Sequence, residues 1–230
     1  MRESKGQLRW FERLSYSFPE LDRKDRKALF EKVEAGADGG IDYVVMMVLS
    51  SGLASLGLLE DSPAVIIGAM LVAPLMGPLI GAGLALTVGN LVLYRKSIGV
   101  AILGITTGFL VSIVMGLLNP GFEPSLEIEA RGNPDVLDLG VAVISGFVAA
   151  YALGRPGLAN SLAGVAIAAA LVPPLCVVGI SLTNGQPVVA INSAILLLTN
   201  LVAIILSAAL AFRLLRIGDD KNAQVTYAWV

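Results

Sequence analysis

The chain has 230 residues, 56% of them hydrophobic and 15% charged, a net charge of -2 and a mean hydropathy of +0.79. Soluble domains carry about 25% charged residues, so this composition excludes an ordinary soluble protein and points to an integral membrane one. The chain has no histidine and one cysteine, Cys176; that excludes imidazole bases, HExxH metal sites and internal disulfides, and no cofactor, metal or nucleic-acid partner is expected.

Residues 1–40 are polar and hold no apolar run of signal-peptide length. The first membrane helix is expected to act as the targeting signal. Leu8, Trp10, Phe11 and Leu14 with Arg9 and Arg13 predict a short interfacial helix, broken at Phe18-Pro19. A second helix is predicted over about 20–35, with Leu21, Ala28, Leu29 and Val33 on one side. Its Arg23, Lys24, Arg26 and Lys27 suit anionic headgroups, but Asp22 and Asp25 interleave them and a solvated face fits better. Residues 36–40 form a linker.

Membrane helix 1 is predicted over about 41–59, with Asp42 at its start and Glu60-Asp61 past its end. Helix 2 covers 62–90, with Ser62 as cap and Pro63 in the first turn. It holds no charge, yet Pro74, Gly77 and Pro78 sit at its middle. Proline there removes a donor and leaves carbonyls without intrahelical partners. In lipid such groups must be satisfied by a neighbouring helix or a lined cavity. A kinked packing helix is one reading; a broken helix that builds a transport site is the other.

Tyr94-Arg95-Lys96 read as a basic turn, and helix 3 as 97–118, stopped by Asn119-Pro120-Gly121. Residues 119–134 form the longest loop. Glu123, Glu127 and Glu129, with Asp135 and Asp138 just beyond, outnumber Arg131 and make an outer acidic loop. Asn133-Pro134 read as a cap and first-turn proline for helix 4, about 135–153. Helix 5, about 158–182, contains Pro173-Pro174; helix 6, about 188–215, carries Asn200 near its centre. The tail, 216–230, is polar. The apolar segments lack the two-residue alternation of an outer-membrane barrel, so the fold class is all-α. The expected organisation is cytoplasmic helices at 1–40, membrane repeat 1 at 41–118, outer loop at 119–134, membrane repeat 2 at 135–215 and a cytoplasmic tail at 216–230.

With the N-terminus inside, the inner segments hold fifteen of the sixteen lysines and arginines, and the outer loops hold only Arg131. That asymmetry predicts six spans with both ends cytoplasmic. A shift of 96 residues lays 64–90 over 160–186 with nine identities in 27: Gly68, Ala73, Leu75, Pro78, Leu79, Gly83, Leu86, Thr87 and Gly89 recur. A composition this biased should match at roughly two or three. Asp42 also falls on Asp138, and Ser97 on Ser193. Three helices per unit is odd, so the second unit enters from the opposite side as an inverted repeat. Pro74–Pro78 and Pro173–Pro174 are then expected to meet near the midplane. Ladders such as Ala69, Ala73, Gly77, Gly81, Ala85 and Gly89 allow close helix packing and suit a homo-oligomer.

Three stretches closely resemble a prokaryotic membrane family known as domain of unknown function 389: IIGAMLVAPLMGPLIG (66–81), EIEARGNPDVLDL (127–139) and GVAIAAALVPPLCVVGI (164–180). The resemblance covers about 40–215. It implies a polytopic inner-membrane protein and supplies no mechanism.

No charged residue lies deep in any predicted helix, which removes support for a buried proton relay. The residues expected to line a substrate or ion pathway are Ser51, Pro74, Gly77, Pro78, Ser145, Pro173, Pro174 and Asn200. Hydroxyls and freed carbonyls suit a dehydrated cation, half-helix N-termini an anion. The acidic loop (Glu127, Glu129, Asp135, Asp138) raises local cation concentration, which tips the expectation toward a cation. The alternative for that loop is a solvated or contact surface, and for Asn200 a helix–helix hydrogen bond. Two function classes stand: a transporter or channel-like protein, and a membrane scaffold or sensor acting through its N-terminal helices. An enzyme is not expected, because no nucleophile–base pair is visible.

Overall fold

The computed structural model describes residues 22–121, 123–155, 158 and 171–217, and every regular element among them is helical. The predicted interfacial helix near Leu8–Leu14, the first half of predicted helix 5 and the tail beyond 217 lie outside the described residues.

Helix α1 (Arg23–Gly36) buries Leu29, Phe30 and Val33, one stripe at helical spacing, against α4 (Met76–Val88). Its apolar side is therefore used within the chain. Helix α2 (Ile41–Leu59) has the predicted limits. The predicted second span is two helices, α3 (Pro63–Val72) and α4, bent by 54° at residues 73–75. Ala73 is extended there, and Pro74 brings no N–H to the Met70 carbonyl, so the helix cannot run through.

Helix α5 (Leu91–Leu118) starts six residues before the predicted 97. Left-handed Gly89 (φ 73°) makes the turn, and the Asn90 side chain accepts from the Leu93 N–H at 3.0 Å. Tyr94, Arg95 and Lys96 thus belong to the helix and not to a turn. The predicted open loop at 119–134 contains a further helix, α6 (Leu126–Gly132), capped by Ser125. The expected Asn133 cap is replaced by Asp135, which closes a capping box with Asp138 at the start of α7 (Val136–Leu153). Helix α8 (Val172–Thr183) begins on its two prolines, and α9 (Pro187–Leu214) follows a turn at left-handed Gly185.

The two 28-residue helices α5 and α9 form the frame. Both α4 and α8 pack against each of them; α2 packs on α3, α5 and α8, and α7 on α9. Four helices (α2, α5, α7, α9) are long and apolar enough to cross a bilayer, and the bent pair α3–α4 makes a fifth candidate span. At 12 residues, α8 is about 18 Å long, short of a bilayer core of about 30 Å. The outward faces are apolar: Leu49, Ile102, Leu110, Leu198 and Leu206 are all exposed. So broad an apolar surface requires lipid and not water around it.

Candidate functional site

The bend between α3 and α4 and the N-terminal end of α8 both reach α5. Leu75, directly after Pro74, lays its side chain against Gly104; a carbon added to that glycine would lie 2.9 Å from it. Leu175, directly after Pro174, does the same at Gly108, at 2.7 Å. Residues 104 and 108 are one turn apart, about 6 Å. Glycine at both positions is what lets the two break leucines approach the same helix.

The predicted pathway residues distribute around this junction. Pro78, Pro173 and Pro174 are buried at the starts of α4 and α8. Gly77 abuts the backbone of Gly36, so the end of α1 seals one side of the first break. Ser51 is fully buried in α2 and faces Gly108. The Cys176 thiol donates to the Ser51 carbonyl at 3.5 Å, tying α8 to α2. Asn200 is buried in α9. Ser145 is also buried, but on α7, which packs on α9 and not beside Ser51.

The acidic loop is more structured than the sequence reading expected. Glu127 pairs with Arg131 one turn on, and its N–H donates to Asp61 Oδ1 at 3.0 Å. Asp135 and Asp138 cap α7. Glu129 lies in the first turn of α6 and is exposed. Ser125 Oγ donates to the Leu58 carbonyl at 2.7 Å, Ser193 Oγ to the Arg131 carbonyl at 3.0 Å and Asn192 to the Gly132 carbonyl at 2.7 Å. The short helix is therefore bolted to α2 and α9. Among the described residues no group of three acidic, histidine or cysteine side chains is placed to hold a metal ion.

Sequence reasoning missed Ser55, Tyr43 and Gly108. Tyr43 donates to the Val100 carbonyl at 3.0 Å and fastens α2 to α5. Ser55, one turn from Ser51, faces the Cys176 sulfur. The available signal was the serine pair at i and i+4 on one helix face.

An all-helical membrane protein whose second span is broken at a proline is the class that this architecture defines. The chain belongs to the family described as domain of unknown function DUF389, whose model matches residues 70–206. It is 32% identical over 194 residues to an uncharacterized protein of Methanocaldococcus jannaschii, an alignment covering 84% of this chain and 60% of that protein. The chain thus spans about three fifths of the length of that relative. No solved structure matches it.

Proposed function

We propose that this chain is a prokaryotic inner-membrane transporter or channel-like protein for a small solute or ion, a cation first, with its site at the paired breaks. The observation that carries this reading is the meeting of Leu75 and Leu175 one turn apart on α5. A simple anchor gains nothing from a proline bend and a proline-started helix held against one helix. A transporter gains backbone oxygens inside protein and away from lipid.

The proposed architecture is six spans in two inverted units with both termini cytoplasmic. Three observations support it. Helix α9 begins and ends 96 residues after α5, and α8 begins 96 residues after α4. The half-helices pack alike, α4 and α8 each lying on both long helices. The lysines and arginines fall on one side of the proposed topology. A homo-oligomer, and no enzymatic activity, complete the proposal.

For the scaffold alternative, only the charged side of α1 remains for a partner, because its apolar side packs on α4. The deciding experiment is flux in proteoliposomes over a panel of cations, anions and neutral metabolites. A flux removed by Pro78→Ala with Pro174→Ala supports the site at the breaks. Absence of flux for the whole panel sinks the transport reading.

A further inference from the structure

Many hydroxyls inside this bundle are satisfied within their own helix. Thr87, Thr107, Ser112, Thr183, Thr199 and Ser207 each donate back to a carbonyl three or four residues earlier, at 2.8–3.2 Å. This is the ordinary way for a hydroxyl to be satisfied in a membrane helix. Ser51, Ser55, Ser97 and Ser181 do not follow it, and of these Ser51 and Ser55 stand one turn apart on one helix. Both are fully buried, both lie on one face of α2, and neither Oγ donates to a backbone carbonyl: Ser51 Oγ has no partner and Ser55 Oγ has the Cys176 sulfur alone. The Ser51 oxygen points at Gly108 of α5, and Ser55 faces the Cys176 sulfur of α8. Buried hydroxyls with no oxygen or nitrogen partner are costly, and here two converge where α2, α5 and α8 meet.

We propose that Ser51 and Ser55 bind a partly dehydrated alkali cation, sodium or potassium, at this junction. The inference rests on the pathway reading for its role and on the two hydroxyls for its position. The sign of the charge follows from the prolines. A helix N-terminus holds an anion through free backbone N–H groups. At the start of α8, Pro173 and Pro174 carry none, and Pro78 removes another at the start of α4. The junction is thus poor in donors, while hydroxyl and carbonyl lone pairs remain. The valence follows from the missing carboxylates: in the described spans Asp and Glu occur only in first turns, at Asp42 and Asp138. Calcium and magnesium are held by carboxylates, whereas a monovalent ion can be held by neutral oxygens alone.

The test uses the full chain in nanodiscs. Thermal unfolding is followed in sodium, potassium or lithium chloride and in N-methylglucamine chloride at equal ionic strength. The site predicts that at least one alkali cation raises the midpoint by several degrees, and that Ser51→Ala with Ser55→Ala removes the rise. In N-methylglucamine the double variant should melt no lower than the parent, because neither lost hydroxyl gives up a bond to an oxygen or nitrogen. If it does not fold, Ser51→Ala alone must lose at least half of the rise. An equal midpoint in all four salts overturns the proposal, and so does a rise that survives the substitutions. Flux separates the two readings. Cation-dependent stability without flux keeps the site and sinks transport; flux that is indifferent to Ser51 and Ser55 keeps transport and sinks the site.

Discussion

Gly83 of α4 sits against Ala208 of α9 so closely that a carbon on the glycine would lie 2.8 Å from the alanine Cβ. Shifting both positions by 96 residues, one forward and one back, gives Gly179 and Ser112, which make the corresponding contact between α8 and α5. Helix α4 therefore meets α9, and α8 meets α5, through glycines 96 residues apart. Gly83→Ala must push against Ala208 and the Ile205 carbonyl at 3.0 Å, and Gly179→Ala against Ser112 and the Ile113 nitrogen at 2.8 Å. Each substitution should destabilise the protein by roughly 1–3 kcal/mol. Thermal unfolding in detergent reads this, and a Gly179→Ala protein as stable as the parent would refute the contact.

Gly77 touches the backbone of Gly36 at the end of α1. Backbone cannot move aside as a side-chain tip can, so Gly77→Ala should lift α1 from α4. Trypsin should then cut faster at Lys24, Lys27 and Lys32, all exposed on α1. The apolar stripe of Leu29, Phe30 and Val33 would lose its cover. Unchanged cleavage rates would mean that this glycine contact does not hold the helix.

Ser97 and Ser193 stand 96 residues apart and behave differently. Ser193 donates to the Arg131 carbonyl at the end of α6 at 3.0 Å, whereas the buried Ser97 hydroxyl has no partner. Ser193→Ala should cost about 1 kcal/mol, and Ser97→Ala should be neutral or stabilising. Ser97 Oγ and Ala37, just past the end of α1, both flank Gly81 of α4, and with no bond from Ser97 the amides at the end of α1 should open in hydrogen exchange more readily than those of α6. The reverse order would contradict the bonding seen here.

The acidic residues between 123 and 138 should separate by role. Asp135 holds both N-terminal amides of α7 within 3.0 Å, so Asp135→Ala should cost about 0.5–2 kcal/mol. Glu129 has no such duty and is exposed. Glu129→Gln should leave the melting midpoint alone and, if the face concentrates cations, slow uptake at low ionic strength only. A fall in stability for Glu129→Gln would place that side chain in the fold instead.

What the sequence determined by itself was set by local and compositional physics. Apolar length places helices at α2, α5, α7 and α9, because a bilayer demands a continuous run. Proline chemistry places the break after Val72, because Pro74 has no N–H wherever it is. The family was likewise legible in three short motifs. The helix limits at Leu91 and the cap at Asp135 were misread, since Arg95-Lys96 and Asn133-Pro134 carry turn signals that a nearby stronger cap overrides. What only the tertiary structure decided depends on distance across helices. No periodicity tells that Leu75 and Leu175 meet one turn apart on α5, or that α1 packs on α4 instead of presenting its apolar side to a partner. Nor does it tell that Ser51 and Ser55 forgo the backbone bonds that six other hydroxyls make. Whether a small polar side chain is satisfied depends on what lies opposite it, and that is settled by packing.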